Sequence, residues 1–198
     1  MYSKKRLVLA IFCIVLFIAM IVTAKVVCAA TEDDWARRAR DTFESEFGEY
    51  LQSLVDVYDI EYELMLALIW TESTYQQTLI AGRNWGFTQI NTINHSWLRI
   101  DYGLDNMLCS YQNLHAGAII LRMALDAADN NYHRALMNYN MGHSGAAAQF
   151  RKGIYTSSYS RVVVARYELL KEQKNNTYIE DTILIDFEPI STNHIEPD

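Results

Sequence analysis

Glu72 is the acidic residue in this chain whose setting most favours chemistry. It closes the run Leu64-Met-Leu-Ala-Leu-Ile-Trp70-Thr-Glu72. In a helix Met65, Leu68, Ile69 and Glu72 fall at i, i+3, i+4 and i+7, on one face. A run apolar all round predicts a buried central helix with the carboxyl at its C-terminal end. Burial and the negative helix end both favour the protonated carboxyl and raise its pKa. Such an acid, opening onto a loop, has the character of a general acid. The plain alternative is a glutamate just past the core that pairs with an arginine.

Other candidates come in a fixed order after it. Gly86-Phe-Thr-Gln89-Ile-Asn91 follows a loop. Asn113-Leu-His-Ala-Gly117 comes next, then Ala135-Leu-Met-Asn-Tyr139-Asn140-Met-Gly142, and last Tyr155-Thr-Ser-Ser-Tyr159. Histidines 95, 115, 133 and 143 share no ligand spacing, and Cys109 has no cysteine beside it, so no metal is expected. There is no phosphate loop, dinucleotide fingerprint or Ser-His-Asp signature. No cofactor is expected.

The elements that must hold these residues are helical. Both prolines, Pro189 and Pro197, lie near the C-terminus, so the chain before them lacks the strongest helix breaker. Amphipathic patterning predicts helices over Asp33–Phe47 and Tyr50–Tyr58, with Asp59 capping the buried helix. The stretch 75–93 reads as loop with a short hairpin. Further helices are predicted over 111–128, 132–139 and 159–174. Gly142 and Gly145 read as the end of the Tyr139 helix, and Gly117 as a close approach of helices. Cys109 reads as a small buried hydrophobe.

The ends differ in composition. Lys4, Lys5 and Arg6 precede an apolar run of 18 residues, Leu7–Ala24, and then comes Lys25-Val-Val-Cys-Ala-Ala. Residues 1–30 read as a cleaved secretory signal or a retained membrane anchor, and either one exports residues 31–198. They hold four of the 17 bases and none of the 24 acids, which leaves −11 on residues 31–198 and argues against nucleic-acid binding. Residues 176–198 carry six acids and no Lys or Arg. They read as an acidic appendage with one strand at 182–187. The main domain is expected over 31–175.

The five motifs, in this order over roughly residues 50–172, resemble the lytic transglycosylase domain of the soluble-lytic-transglycosylase type, related to goose-type lysozyme. The fold this implies is mainly α, a lysozyme-like helical domain with at most a small β-hairpin. The implied substrate is the glycan strand of peptidoglycan, cut between N-acetylmuramic acid and N-acetylglucosamine by a monomer. The resemblance makes Glu72 the sole catalytic acid, with Ser73 beside it orienting the carboxyl or the sugar. Gly86, Gln89, Asn91, Tyr139, Asn140 and Tyr159 become substrate-binding, with Gly86 letting backbone approach a sugar. Thr88 stands where the family usually has Met, at a position expected to line the cleft. Gln77 stands where proline is common.

In that family one carboxylate suffices, because the C6 hydroxyl of the muramyl sugar replaces water and yields a 1,6-anhydro product. Asp101 or Asp105 reaching the cleft would make the enzyme a hydrolytic muramidase instead. A non-catalytic wall-binding module is the reading from another class, against which the retained Glu72 and the Tyr139-Asn140 pair speak. A membrane-bound regulator that docks a partner through the acidic tail is a third.

Overall fold

The computed structural model describes residues 33–186, with side chains as far as Asn176. The basic and apolar segment 1–30 lies outside the described residues. Among the described residues, no helix is long and apolar enough to cross a membrane.

The first helix, α1 (Asp34–Tyr58), is one continuous element rather than two. Phe43, Phe47, Leu51, Leu54 and Val55 are its buried stripe. Their spacing of four, four, three and one carries the same face past Gly48, so nothing in the packing requires a break. Asp33 caps it, accepting the Ala36 amide at 2.7 Å. Asp59 ends this helix in a left-handed conformation instead of starting the next, a role that falls to Glu61.

The buried helix, α2 (Tyr62–Ser73), runs through the middle with Met65, Ala67, Leu68 and Ile69 fully enclosed. A three-stranded antiparallel sheet comes next, β1 (Ile80–Ala81), β2 (Asn84–Trp85) and β3 (Ile90–Asn91), in the order β1-β2-β3. The expected hairpin is thus extended by one strand, each strand being two residues long. A single 3₁₀ turn, Thr92–Asn94, leads to α3 (His95–Tyr102). The chain then forms α4 (Ser110–Asp126), α5 (Tyr132–Phe150) and α6 (Ser158–Asp186).

Helix α6 packs on α2 and α5, α5 on α4, and α1 on α4 and α2. Two cores result. The large one joins α1, α2, α4, α5 and α6 and includes Phe87 from the loop before β3. The small one, Ile90, Leu98, Leu104, Met107, Ala116 and Ile119, lies where the sheet and α3 meet α4.

Three expectations are corrected. Helix α5 does not end at Gly142: it kinks there, with φ 71° and ψ 162°, and resumes to Phe150, so Gly145 sits inside a helix. That backbone region is open essentially only to glycine. Residues Thr182 to Asp186 continue α6 and form no strand. Cys109 is half-exposed ahead of α4 rather than buried.

Candidate active site

Four residues in a row place the loop that faces α2. Phe87 inserts into the large core, its ring 5.0 Å from Phe43 and 5.4 Å from Phe47. Thr88 is fully buried. Gln89 takes a left-handed φ of 48° and turns its amide back, donating to the Gly86 carbonyl at 2.8 Å and to the Leu79 carbonyl at 3.1 Å. Ile90 anchors the small core. The alternation of the two cores along Phe87 and Ile90 holds the loop at both ends.

Asn113 on α4 ties the loop down. Its Oδ1 accepts the Thr88 amide and hydroxyl, each at 2.9 Å, and its Nδ2 donates to the carbonyls of Trp85 and Met107 at 2.8 and 2.9 Å. A buried carboxamide with every group engaged is rigid. A Cβ on Gly86, whose φ is +76°, would come within 2.3 Å of Asn113 Nδ2. Gly86 therefore makes room for Asn113, not for a sugar. A Cβ on Gly117 would come within 2.6 Å of Thr88 Cγ2, so Gly117 receives the loop rather than a second helix. Thr88 consequently does not line the cleft, and its departure from the family pattern is absorbed by the packing.

Against this loop the chain opens a cavity of about 120 Å³. Glu72, Asn84, Gln89, Ile90, Asn91, Asn94, Ile120, Tyr139 and Asn140 line it. Of the residues expected from sequence, Glu72, Gln89, Asn91, Tyr139 and Asn140 meet here. Asn91 Nδ2 donates to Asn84 Oδ1 at 2.7 Å, which presents two carboxamides side by side. The Tyr139 hydroxyl donates to the Thr88 carbonyl at 2.8 Å, which locks α5 to the loop.

Ser73 does not reach the cavity. It is buried, and its hydroxyl donates to the Ile69 carbonyl at 3.1 Å, one turn back in the helix. Tyr159, at the start of α6, is outside the lining, but its hydroxyl donates directly to Glu72 Oε1. Sequence reasoning assigns no role to Asn84, Asn94 or Ile120, and none to Asn113 beyond its place in a motif. Two-residue strands carry too little alternation to show which face Asn84 takes.

Helix α2 stops at the right place for Glu72 because Thr74 and Tyr75 adopt φ of 50° and 60°. A β-branched residue in the left-handed region is unusual, and such strain collects at functional sites. Glu72 thus stays in the last turn.

Burial pushes the Glu72 carboxyl up to about 7, and the Tyr159 hydrogen bond offsets only part of that rise. The arginine of the plain alternative is elsewhere. Arg166 stacks on the Trp70 ring at 4.2 Å and donates to Thr71 Oγ1 at 3.1 Å. Among the described residues no salt bridge involves Glu72. The hydroxyls of Tyr159 and Tyr139 are themselves held protonated, by burial first and by the neighbouring Glu72 charge second. The site therefore offers one carboxyl able to donate or accept a proton near neutral pH, in a ring of uncharged amides.

Among the described residues, no second carboxylate lines the cavity. Asp101 and Asp105 are exposed, and neither lines the cavity; Asp105 accepts from Gln112 at 3.2 Å. A larger hollow of about 320 Å³ between α1, α2 and α6 does contain acids. There Glu44 faces Arg40 at 3.4 Å and Glu63 faces Lys174 at 2.5 Å, so the charges are paired. Among the described residues no group of three His, Cys, Asp or Glu could hold a metal ion.

The transglycosylase SLT domain family matches residues 49–157, more than half of the chain and the part that builds this cavity. No curated protein matches the chain. Five motifs in order, a mainly helical fold with one small sheet, and a cavity whose lining holds one carboxylate, Glu72, agree with that match: the chain belongs to the transglycosylase SLT domain family, the peptidoglycan lytic transglycosylases.

Proposed function

We propose that the enzyme cleaves the β-1,4 bond between N-acetylmuramic acid and N-acetylglucosamine with Glu72 as both acid and base, releasing a 1,6-anhydro end. The observation that carries this reading is a single carboxyl near pKa 7 in a cavity otherwise lined by amides and apolar groups. Protonated Glu72 donates to the glycosidic oxygen as the bond breaks. The carboxylate left behind takes the proton of the muramyl C6 hydroxyl as that oxygen closes on C1. Proton and charge balance across the two steps, and Glu72 ends as it began. Glycosidases that use water commonly need a second carboxylate at about 5–10 Å. The exposed positions of Asp101 and Asp105 favour the internal nucleophile.

Gln89, Asn91, Asn84 and Asn140 are suited to hydrogen-bond hydroxyl and acetamido groups. Tyr159 holds the carboxyl in place. Tyr139 holds the loop.

The test is the release of soluble muropeptides from purified sacculi. Glu72→Gln keeps the shape of the side chain but cannot shuttle a proton, and release should fall by at least about 10²–10⁴-fold. Asp101→Asn and Asp105→Asn should each keep most of the activity. Wild-type release by Glu72→Gln would end this reading, and loss in an Asp variant equal to that in Glu72→Gln would favour the hydrolytic muramidase.

We also propose that residues 1–30 export the domain to the cell envelope, by a cleaved signal or as an anchor. An alkaline-phosphatase fusion after Thr31 should be active, and an inactive fusion with a stable product contradicts export.

A further inference from the structure

Helix α6 begins at Ser158, and Tyr159 stands in its first turn. The aim of the Tyr159 hydroxyl at Glu72 Oε1 therefore depends on how firmly that turn is held. The first N–H groups of a helix have no partner within it, and side chains that accept from them hold the turn in place. Here two serines do so reciprocally. Ser157 Oγ accepts from the Ser160 amide at 3.1 Å, and Ser160 Oγ accepts from the Ser157 amide at 2.9 Å. Ser160 is fully buried, and its hydroxyl donates to the Ser157 carbonyl at 3.1 Å. A third partner comes from another helix: His133, in the first turn of α5, places Nδ1 3.1 Å from Ser160 Oγ. The single hydrogen on Ser160 Oγ is already donated to the Ser157 carbonyl, so Nδ1 must carry a proton and donate. The cap of α6 is thereby bound to α5. The core anchors of α6, Val163, Tyr167 and Leu170, lie further along the helix and leave its first turn to this cap.

We infer that His133 is a positioning residue for the reaction proposed above: by donating to Ser160 Oγ it fixes the first turn of α6, and with it the hydrogen bond from Tyr159 to Glu72. His133 is not in the lining of the Glu72 cavity, so it acts through its neighbours and not on the sugar. Ser160, which it holds, is the residue next to Tyr159. The tyrosine hydroxyl stands at the far end of a rigid ring, so a small tilt of the turn is magnified there. Burial first, and the nearby Arg161 of α6 second, push the His133 imidazole below its ordinary pKa. The ring is therefore neutral around pH 7. A charged ring would still donate through Nδ1, so the link to Ser160 holds in both forms.

The inference rests on Glu72 being the acid, and one set of variants separates the two claims. The readout is kcat/KM for muropeptide release, followed against pH. His133→Ala should lower the plateau by about three- to tenfold, the effect of one weakened hydrogen bond. It should also move the alkaline limb upward, the direction expected when Glu72 loses its donor. His133→Asn should restore most of both, because its Nδ2 leaves Cγ where Nδ1 of the imidazole does. In a Tyr159→Phe background the hydrogen bond is already gone, so adding His133→Ala should change neither the plateau nor the limb. Thermal melts identify a variant that fails to fold, and Ser160→Ala, which removes the acceptor, then takes the place of His133→Ala. An unmoved limb in the folded variant, no rescue by His133→Asn, or losses that multiply in the double variant would reduce His133 to a helix cap and overturn the inference. Wild-type release by Glu72→Gln, measured alongside, would instead overturn the proposed function.

Discussion

Helix α2 carries a glutamate at each end, and the two are held in opposite ways. Glu61, at the N-terminal cap, accepts from the hydroxyls of Tyr132 and Tyr167, each at 2.6 Å, and from Lys171 at 3.1 Å. Burial pushes its carboxyl up, but those three donors outweigh it, and the pKa ends below the ordinary value. The positive end of the helix works in the same direction. Glu72, eleven residues on, is more enclosed and has one donor, Tyr159. Its pKa rises to about 7. The same residue type on the same helix thus becomes a fixed anion at one end and a proton carrier at the other. What separates them is the number of donors that satisfy the charge, set by α5 and α6 folding over one end and by a cavity left open at the other.

Neutralising each end breaks that comparison in opposite senses. Glu72→Gln has the larger effect, since its loss of activity should come with a gain in stability. A carboxyl whose folded pKa is raised contributes its relative stability at low pH and loses it as pH rises from about 4.5 to about 7. The amide has no such loss. Above pH 7 the variant should therefore be more stable than wild type, on the order of 1–3 kcal/mol. Denaturant melts at pH 5 and pH 8 check it, and a variant less stable at both values contradicts it.

Tyr159→Phe sharpens the comparison by removing the one donor Glu72 has. That hydrogen bond lowers the Glu72 pKa, so its loss should move the pKa above 7. The alkaline limb of the kcat/KM profile, which falls in wild type as the acid ionises near pH 7, should shift upward. The rate on its plateau should drop by about tenfold through lost positioning. An unmoved limb would show that Tyr159 does not act on the proton of Glu72.

Legibility in the sequence tracks the range of the signal. The period of α2 is local, so its burial and the place of Glu72 at its end are readable from Leu64 to Trp70. The stripe of α1 is equally local, although a glycine at 48 suggests a break that the helix does not make. Tyr159 is 87 residues from Glu72, and no spacing rule connects them. Only the order of motifs points there. The Asn113 hub and the fit of Thr88 into Gly117 depend on a loop crossing a helix. The resemblance places Thr88 and Gly86 in the cleft, where packing puts neither. Ser73 misleads for a related reason. Adjacency to a catalytic residue along a helix turns a side chain through about 100°, here into the core.

Glu61→Gln has the smallest effect and completes the comparison. A lowered pKa contributes stability that is present above the unfolded value and lost as pH falls through the folded one, below about 4.5. At pH 7 the amide should lower stability by roughly 0.5–1 kcal/mol, because the site is partly exposed and the ion pair with Lys171 is screened. Muropeptide release should stay within about twofold of wild type, as a change of this size at a distant site is a matter of stability alone. A large loss of activity in a folded Glu61→Gln protein would show that the two ends of α2 are coupled.

The central claim is that one carboxyl suffices because the substrate supplies its own nucleophile. Digestion of sacculi in water labelled with heavy oxygen, with mass spectrometry of the muropeptides, tests it most directly. The account predicts 1,6-anhydro ends, lighter by one water and free of label. Reducing ends that carry the heavy oxygen would show that water attacks, and would contradict it.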